Sequence, residues 1–322
     1  MDPPILPPIH PVLRFHNYGS YLTRRLGGPA VRIPVDGGFT CPNRDGTIGV
    51  GGCAFCNNES FSPGIRFPGL PVEEQVRRAI SAPGRHRAYR RFLIYFQKHS
   101  NSYAAPAELR RRYGAAFAHP DVAGIVIGTR PDCLGEEVLD VLSEISRDRY
   151  VCVELGLQSM SDAVLRGVNR GHTVEDFAAA AGALRDLGID VGVHLVYGLP
   201  LDTKERFLSA AAFLSRLAVQ GVKLHNLQIH AGTRMADAFR SGAVRVPGYD
   251  EYLCACVDFL ELLAPEVAVM RLMASAPEQL LLAPHWERGP REMAADVTAE
   301  LKKRGTFQGC SWSGKRGTHG KR

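Results

Sequence analysis

Val151-Cys152-Val153-Glu154-Leu155-Gly156-Leu157-Gln158 places an apolar side chain at every odd position and Cys, Glu, Gly and Gln between them. In an extended strand alternate residues face opposite sides. Val151, Val153, Leu155 and Leu157 therefore share one face, and Cys152, Glu154, Gly156 and Gln158 the other. Apolar runs of strand length recur at 31–35, 92–96, 122–128, 189–197 and 222–229. Between them lie helix-period segments beginning near Pro71 and spanning about 105–118, 134–147, 173–187 and 202–219. Six strands separated by connections long enough for crossover helices are the pattern of parallel βα units. Both faces of such a sheet are buried, so a carboxylate and an amide on the inner face are costly unless something polar meets them. Glu154 and Gln158 are thus candidates for ligand binding, with a satisfied hydrogen-bond pair as the alternative. The run 189–197 repeats the alternation and puts Gly192, His194 and Val196 on the polar side. A single strand histidine is more often a satisfied core residue than a catalyst, and His194 is weighed accordingly.

Polar groups collect where these strands end, the side on which open and closed parallel sheets build their sites. After the second strand comes Gln97-Lys98-His99-Ser100-Asn101-Ser102-Tyr103, after the third Thr129-Arg130-Pro131-Asp132, and after the fifth Gly198-Leu199-Pro200-Leu201-Asp202. Asp202 or Thr203 reads as the N-cap of the next helix. After the first strand comes Cys41-Pro-Asn-Arg-Asp-Gly-Thr-Ile-Gly-Val-Gly-Gly-Cys53-Ala-Phe-Cys56, three cysteines and four glycines in sixteen residues. Two cysteines separated by two residues can turn both sulfurs to one centre, and a glycine-rich arm lets Cys41 swing back to them. A structural zinc site normally closes with four protein ligands, whereas a cluster held by three leaves one iron open. Spacing alone leaves both readings standing.

With 322 residues and 45% hydrophobic content, the chain can bury a sizeable core as one large α/β unit. No run approaches the length of a membrane span. The start, Met1 to Pro11, lacks the basic head and apolar run of a signal peptide, so a cytoplasmic protein is expected. Eight cysteines in a reducing compartment are better read as metal ligands and small buried hydrophobes than as a disulfide framework. Cys133, Cys152, Cys254, Cys256 and Cys310 have no ligand spacing and are expected to be structural. Of the net charge of +6, residues 302–322 contribute +7 and the rest −1. With Phe307 and Trp312 interleaved, that tail suits a nucleic-acid backbone or a solvated end equally. Six arginines from Arg77 to Arg91, followed by Arg110, Arg111 and Arg112, make a second basic region of the kind often found on helix faces.

The assembled residues resemble the radical S-adenosylmethionine (radical SAM) enzymes, and within them the YhcC-like family related to the Elongator catalytic subunit. The resemblance runs from about His16 to Ser313. It rests on Asp36-Gly-Gly-Phe-Thr-Cys-Pro-Asn-Arg-Asp-Gly46, Tyr95-Phe96-Gln97, Gly128-Thr-Arg-Pro-Asp132, Glu154-Leu-Gly-Leu-Gln-Ser159, Asn169-Arg170-Gly171-His172, Tyr197-Gly-Leu-Pro200 and residues 279–284. The gap of eleven residues between Cys41 and Cys53, where the commonest pattern has three, is a feature of that family. The resemblance implies an α/β fold, a partial (β/α)6 TIM-type barrel. It implies a [4Fe–4S] cluster on Cys41, Cys53 and Cys56 whose unique iron takes S-adenosylmethionine. It also implies a 5′-deoxyadenosyl radical that abstracts substrate hydrogen, and an electron donor such as flavodoxin or ferredoxin. Phe55 resembles the adenine contact, Glu154 and Gln158 the ribose or methionyl contacts, and Arg170 the methionyl-carboxylate contact. Gln97 and Asn101 are expected near the amino group. Arg271-Leu272 is followed by Met273-Ala274-Ser275, where relatives carry a Thr-Gly-Asp-like run.

The chain is expected to divide into an N-terminal segment (1–29), the radical SAM core (30–232), a C-terminal α+β extension (233–304) and a flexible basic tail (305–322). The extension should hold helices near 250–263 and 290–304 and a strand near 267–273. The resemblance implies tRNA as substrate, modified at the wobble-uridine side chain. The alternatives are a small-molecule or protein substrate and, more remotely, a non-catalytic zinc or iron–sulfur RNA-binding protein.

Overall fold

The computed structural model describes residues 8–62, 64–82 and 89–314. β1 (Val31–Val35), β2 (Phe92–Phe96), β3 (Val122–Thr129), β4 (Tyr150–Gln158), β5 (Asp190–Tyr197) and β6 (Gly221–Asn226) lie side by side in chain order, every pair parallel. β7 (Ile229–His230) leaves this sheet, and β8 (Ala268–Arg271) returns to it as a seventh strand, parallel to β6. β9 (Leu281–Ala283) pairs antiparallel with β7. The result is a half-barrel, a partial TIM-type α/β fold. Pro34, which cannot donate to a ladder, sits in the edge strand β1.

Two expectations change here. The predicted strand near 267–273 is not part of an appended unit, because β8 extends the main sheet. The predicted sixth strand, 222–229, ends at Asn226, where Leu227 N–H turns to donate to the Tyr197 carbonyl.

The outer face of the sheet buries Ile125, Ile127, Val151, Val153, Leu155, Leu157, Val191, Val193 and Leu195. Helices cover it through the apolar residues of their inward stripes. Val174–Asp186 contributes Phe177 and Leu184, and Lys204–Arg216 contributes Phe207 and Leu214. Thr173 and Asp176 close a reciprocal capping box on the first of these, and Thr203 caps the second.

The inner face differs along its length. Its lower part is apolar and is plugged by the helix Tyr18–Leu26, whose Tyr18 and Leu22 pack on Leu93, Val126, Cys152 and Ala268. The N-terminal segment is therefore the floor of the barrel. Toward the C-terminal strand ends the inner face turns polar and opens into a cavity.

The segment after the helix Pro290–Arg304 is also integral as far as it is described. Gln308 is fully buried: its Nε2 donates to the carbonyls of Ala264 and Val267 at 2.8 Å, and its Oε1 accepts from His16 N–H at 2.9 Å. Trp312 packs against the core. Residues 305–312 are thus tied down by buried hydrogen bonds and do not form a flexible tail. Lys315, Arg316, Lys321 and Arg322 lie outside the described residues, as do Arg85 and Arg87 of the arginine-rich region.

Candidate active site

The eleven residues between Cys41 and Cys53 fold into a small hairpin. Arg44 N–H donates to the Cys41 carbonyl at 2.8 Å, Asp45 and Val50 form an antiparallel bridge, and Gly52 N–H returns to the Asn43 carbonyl at 2.7 Å. Gly51 and Gly52 adopt φ of 79° and 80°, which only glycine enters at little cost. The loop after β4 clamps this hairpin. Asn43 Nδ2 donates to the Asn169 carbonyl at 2.6 Å, and Asn169 Nδ2 to the Gly52 carbonyl at 2.9 Å. Ala54 N–H meets the Val168 carbonyl, and its own carbonyl takes Met235 N–H. The Asn169-Arg170-Gly171-His172 motif therefore fixes the cysteine loop over the barrel mouth.

Cys41, Cys53 and Cys56 all line one cavity, together with Phe55, Gln97, Glu154, Gln158 and Arg170. Asn101 does not line it: its Nδ2 is held by the Gly128 carbonyl at 2.8 Å, and the neighbouring Ser100 reaches the wall instead. Gly156 makes room. A Cβ there would stand 2.5 Å from Arg170 Nη2 and 2.4 Å from Gln158 Nε2. Arg170 directs Nη1 at Cys53 Sγ (3.6 Å), Nη2 at the Gly156 carbonyl (3.0 Å) and Nε at His172 Nε2 (2.8 Å). His172 Nε2 must then be unprotonated, leaving Nδ1–H to donate to the Thr173 carbonyl. Burial and then Arg170 lower its pKa to about 4, so the ring is neutral near pH 7.

The floor of the cavity is built around Glu154. Its Oε1 accepts from Arg32 Nη1 at 3.0 Å, and its Oε2 from Tyr95 Oη at 2.5 Å, His194 Nε2 at 2.9 Å and Lys223 Nζ. Burial alone would raise this carboxyl, but Lys223, His194 and Arg32 hold it well below the usual range. Burial pulls Lys223 down to about 7 against the attraction of Glu154, with Arg32 and Arg271 adding to the shift. His194, lowered to about 4 first by burial and then by Lys223, donates to Glu154 as a neutral ring and stacks on His225 at 5.1 Å.

Arg32, Tyr95, Lys223 and Arg271 were not singled out by sequence reasoning as site residues. Lys223 carried a signal, a lysine between Val222 and Leu224 in a strand buried on both faces, which requires a partner. Arg130 belongs to the site too. It pairs through Nε and Nη2 with Asp132, lines the cavity, and leaves Nη1 buried without a partner among the described residues.

The donor set fits an iron–sulfur cluster. Three thiols face a common space, and Asn43 Nδ2 and Arg170 Nη1 each lie 3.6 Å from Cys53 Sγ, where they would stabilise a thiolate. Burial and then Cys53 push the Cys56 thiol up, against Arg44 and Arg170, and a bound cation would favour its thiolate. Among the described residues no group of three or more His, Cys, Asp or Glu is placed to hold a single metal ion. A cluster asks for wider spacing, since each thiolate takes a different iron.

Residues 41–214 match the radical SAM superfamily, and residues 219–303 the radical SAM C-terminal domain. The chain belongs to the radical SAM superfamily, whose enzymes use a [4Fe–4S] cluster and S-adenosylmethionine. Within it, the chain is related to YhcC of Escherichia coli K12 (37% identity over 84% of this chain and 86% of that one) and to YtqA of Bacillus subtilis 168 (33% over 92% of each). The mouse Elongator complex protein 3 is more distant, 29% identical over 53% of this chain and 31% of its own. The Elp3 structure from Methanocaldococcus infernus superimposes with a TM-score of 0.65 at 16% identity, covering 87% of this chain and 64% of that one, and shares the fold.

Proposed function

We propose that Cys41, Cys53 and Cys56 hold a [4Fe–4S] cluster and that the adjoining cavity binds S-adenosylmethionine for hydrogen abstraction from a substrate on the inner barrel wall. The single observation that carries this reading is the convergence of the three thiols with Phe55, Gln158 and Arg170 on one cavity at the C-terminal strand ends. When bound, the cluster and cofactor supply a 5′-deoxyadenosyl radical. The chain's own residues position the parts and keep water out. Phe55 offers an apolar face for adenine, while Gln97, Ser100 and Gln158 offer hydrogen bonds to the ribose and amino groups. Arg170 is occupied by Cys53, Gly156 and His172, which makes Arg130, with its unpaired Nη1, a second cation for the methionyl carboxylate. Glu154 acts by fixing the floor, since both its oxygens already have partners. A flavodoxin- or ferredoxin-type protein would deliver the electron, and a reducing, cytoplasmic setting suits eight free thiols.

The proposed substrate is tRNA, at the wobble-uridine side chain. Its support is the relationship to Elongator complex protein 3 and to proteins named tRNA uridine(34) acetyltransferase. The arginines at 110–112 add little, because Arg110 pairs with Glu144 and Arg111 and Arg112 with Glu108.

Anaerobic reconstitution should give about four irons per chain and reductive formation of 5′-deoxyadenosine, both lost in Cys41→Ala, Cys53→Ala or Cys56→Ala. Stoichiometric zinc with no cofactor cleavage would overturn the reaction class. Nucleosides from tRNA of cells with and without the protein should differ at the wobble position; identical profiles would send the search to small molecules or proteins.

A further inference from the structure

The cavity wall formed by β6 and β8 carries polar nitrogens that no described residue satisfies. Glu154 is the one carboxylate lining the cavity among the described residues, and Arg32, Tyr95, His194 and Lys223 already occupy it. Arg271, opposite Lys223 in the β6–β8 pairing, lines the same cavity with no hydrogen-bond or ion-pair partner among the described residues. Its charge bears on Lys223, His194 and His225, disfavouring their protonated forms. Asn226, at the end of β6, is 2% exposed. Its Oδ1 accepts Ala274 N–H at 3.1 Å, which fixes the amide orientation and leaves Nδ2 buried with no partner among the described residues. His225 Nε2, next to it, is likewise unpaired.

A buried amide donor without a partner is destabilising, and so is a guanidinium beside Lys223 with no counter-charge. An anion would relieve both at once. A neutral or cationic group would leave Arg271 without counter-charge. The cofactor's carboxylate has other cations available, because Arg44, Arg130 and Arg170 gather at the thiol end of the cavity.

We propose that Arg271 and Asn226 Nδ2 form a substrate subsite for an oxyanion, a carboxylate or phosphate group carried by the molecule that loses hydrogen. Arg271 supplies charge and paired N–H donors, Asn226 one further donor, and His225 a ring nitrogen whose tautomer adapts to the bound group. The inference rests on the radical SAM reading, which makes this wall the substrate side.

The test uses the cluster-loaded protein saturated with S-adenosylmethionine, titrated calorimetrically with inorganic phosphate and with acetate at ionic strength held constant by chloride. Saturable binding of at least one is expected, weakened tenfold or more in Arg271→Gln and several-fold in Asn226→Ser. Arg271→Lys, which keeps the charge, should stay within about fivefold of the parent. A preference for phosphate assigns a phosphate-bearing substrate, and a preference for acetate a carboxylate. Over the same series the Kd for S-adenosylmethionine should move less than twofold. The inference is overturned if neither anion binds saturably, if Arg271→Gln binds as the parent does, or if that variant loses the cofactor as strongly as the anion. Cofactor cleavage without oxyanion binding would leave the reaction class standing, and oxyanion binding through Arg271 without cleavage would do the reverse.

Discussion

Glu154→Gln leaves Arg32 and Lys223 in the cavity floor without the carboxylate between them. Stranding buried cations costs about 3–5 kcal/mol, so the free energy of unfolding should fall by that amount in denaturant titration. Lys223→Met in the same chain removes one of the stranded charges and should recover part of the loss. If Glu154→Gln costs less than about 1 kcal/mol, the ion pairs are not what holds the floor. Sequence alternation placed Glu154 on the inner face but could not reveal its company. Arg32, Lys223 and His194 arrive from three other strands, and which of them point inward depends on register. Glu154 was accordingly expected at the cofactor, and the four protein donors gathered on its two oxygens were not anticipated.

At the scale of elements, β4 was legible because a period of two is unambiguous over eight residues, and the cysteine loop because ligand spacing is local. β8 was less legible. Only four residues long, with a register shift where it meets β6, it carries too short a pattern to show that it joins the main sheet. The fastening of residues 305–312 was hidden for another reason: it depends on one buried glutamine reading carbonyls more than forty residues away. Two predictions belong here. Gly156→Ala on β4 introduces a Cβ where Arg170 and Gln158 now stand, so iron content and cofactor affinity should drop at least tenfold while secondary structure persists. An unchanged Kd for S-adenosylmethionine would show that the close approach at Gly156 is dispensable. Truncation after Gly314 should leave the unfolding free energy within about 0.5 kcal/mol of the parent, whereas truncation after Arg304 removes Gln308 and should cost several. If tRNA is the substrate and the basic end meets its backbone, the first truncation also flattens the dependence of log K on log salt, by roughly 0.9 for each phosphate that the end neutralises.

Over the whole molecule, three imidazoles, His16 and His172 buried and His194 half-buried, make stability depend on pH in one direction. His16 bridges the N-terminal segment to the Glu266 carbonyl, His172 backs Arg170, and His194 donates to Glu154. Burial is the leading cause in each, followed by Arg24, Arg170 and Lys223 respectively, and each is lowered to about 4. In the unfolded chain the same rings titrate near 6.5. Between those values the unfolded state binds more protons than the folded one, so stability is fully present above 6.5 and is lost as pH falls toward 4. Each ring contributes up to about 1.4 kcal/mol per pH unit inside that window. Because the three sit at the floor, the cysteine-loop clamp and the seam between the chain ends, acid should loosen all three regions within one window. The melting temperature should therefore drop steeply from pH 6.5 to 4.5, and His16→Asn or His194→Asn should each remove about one proton from the slope even where they lower stability at neutral pH. A melting temperature that stays flat across the window would mean that these rings can charge without leaving their partners, and the floor and seam would then have to be more open to water than their burial indicates.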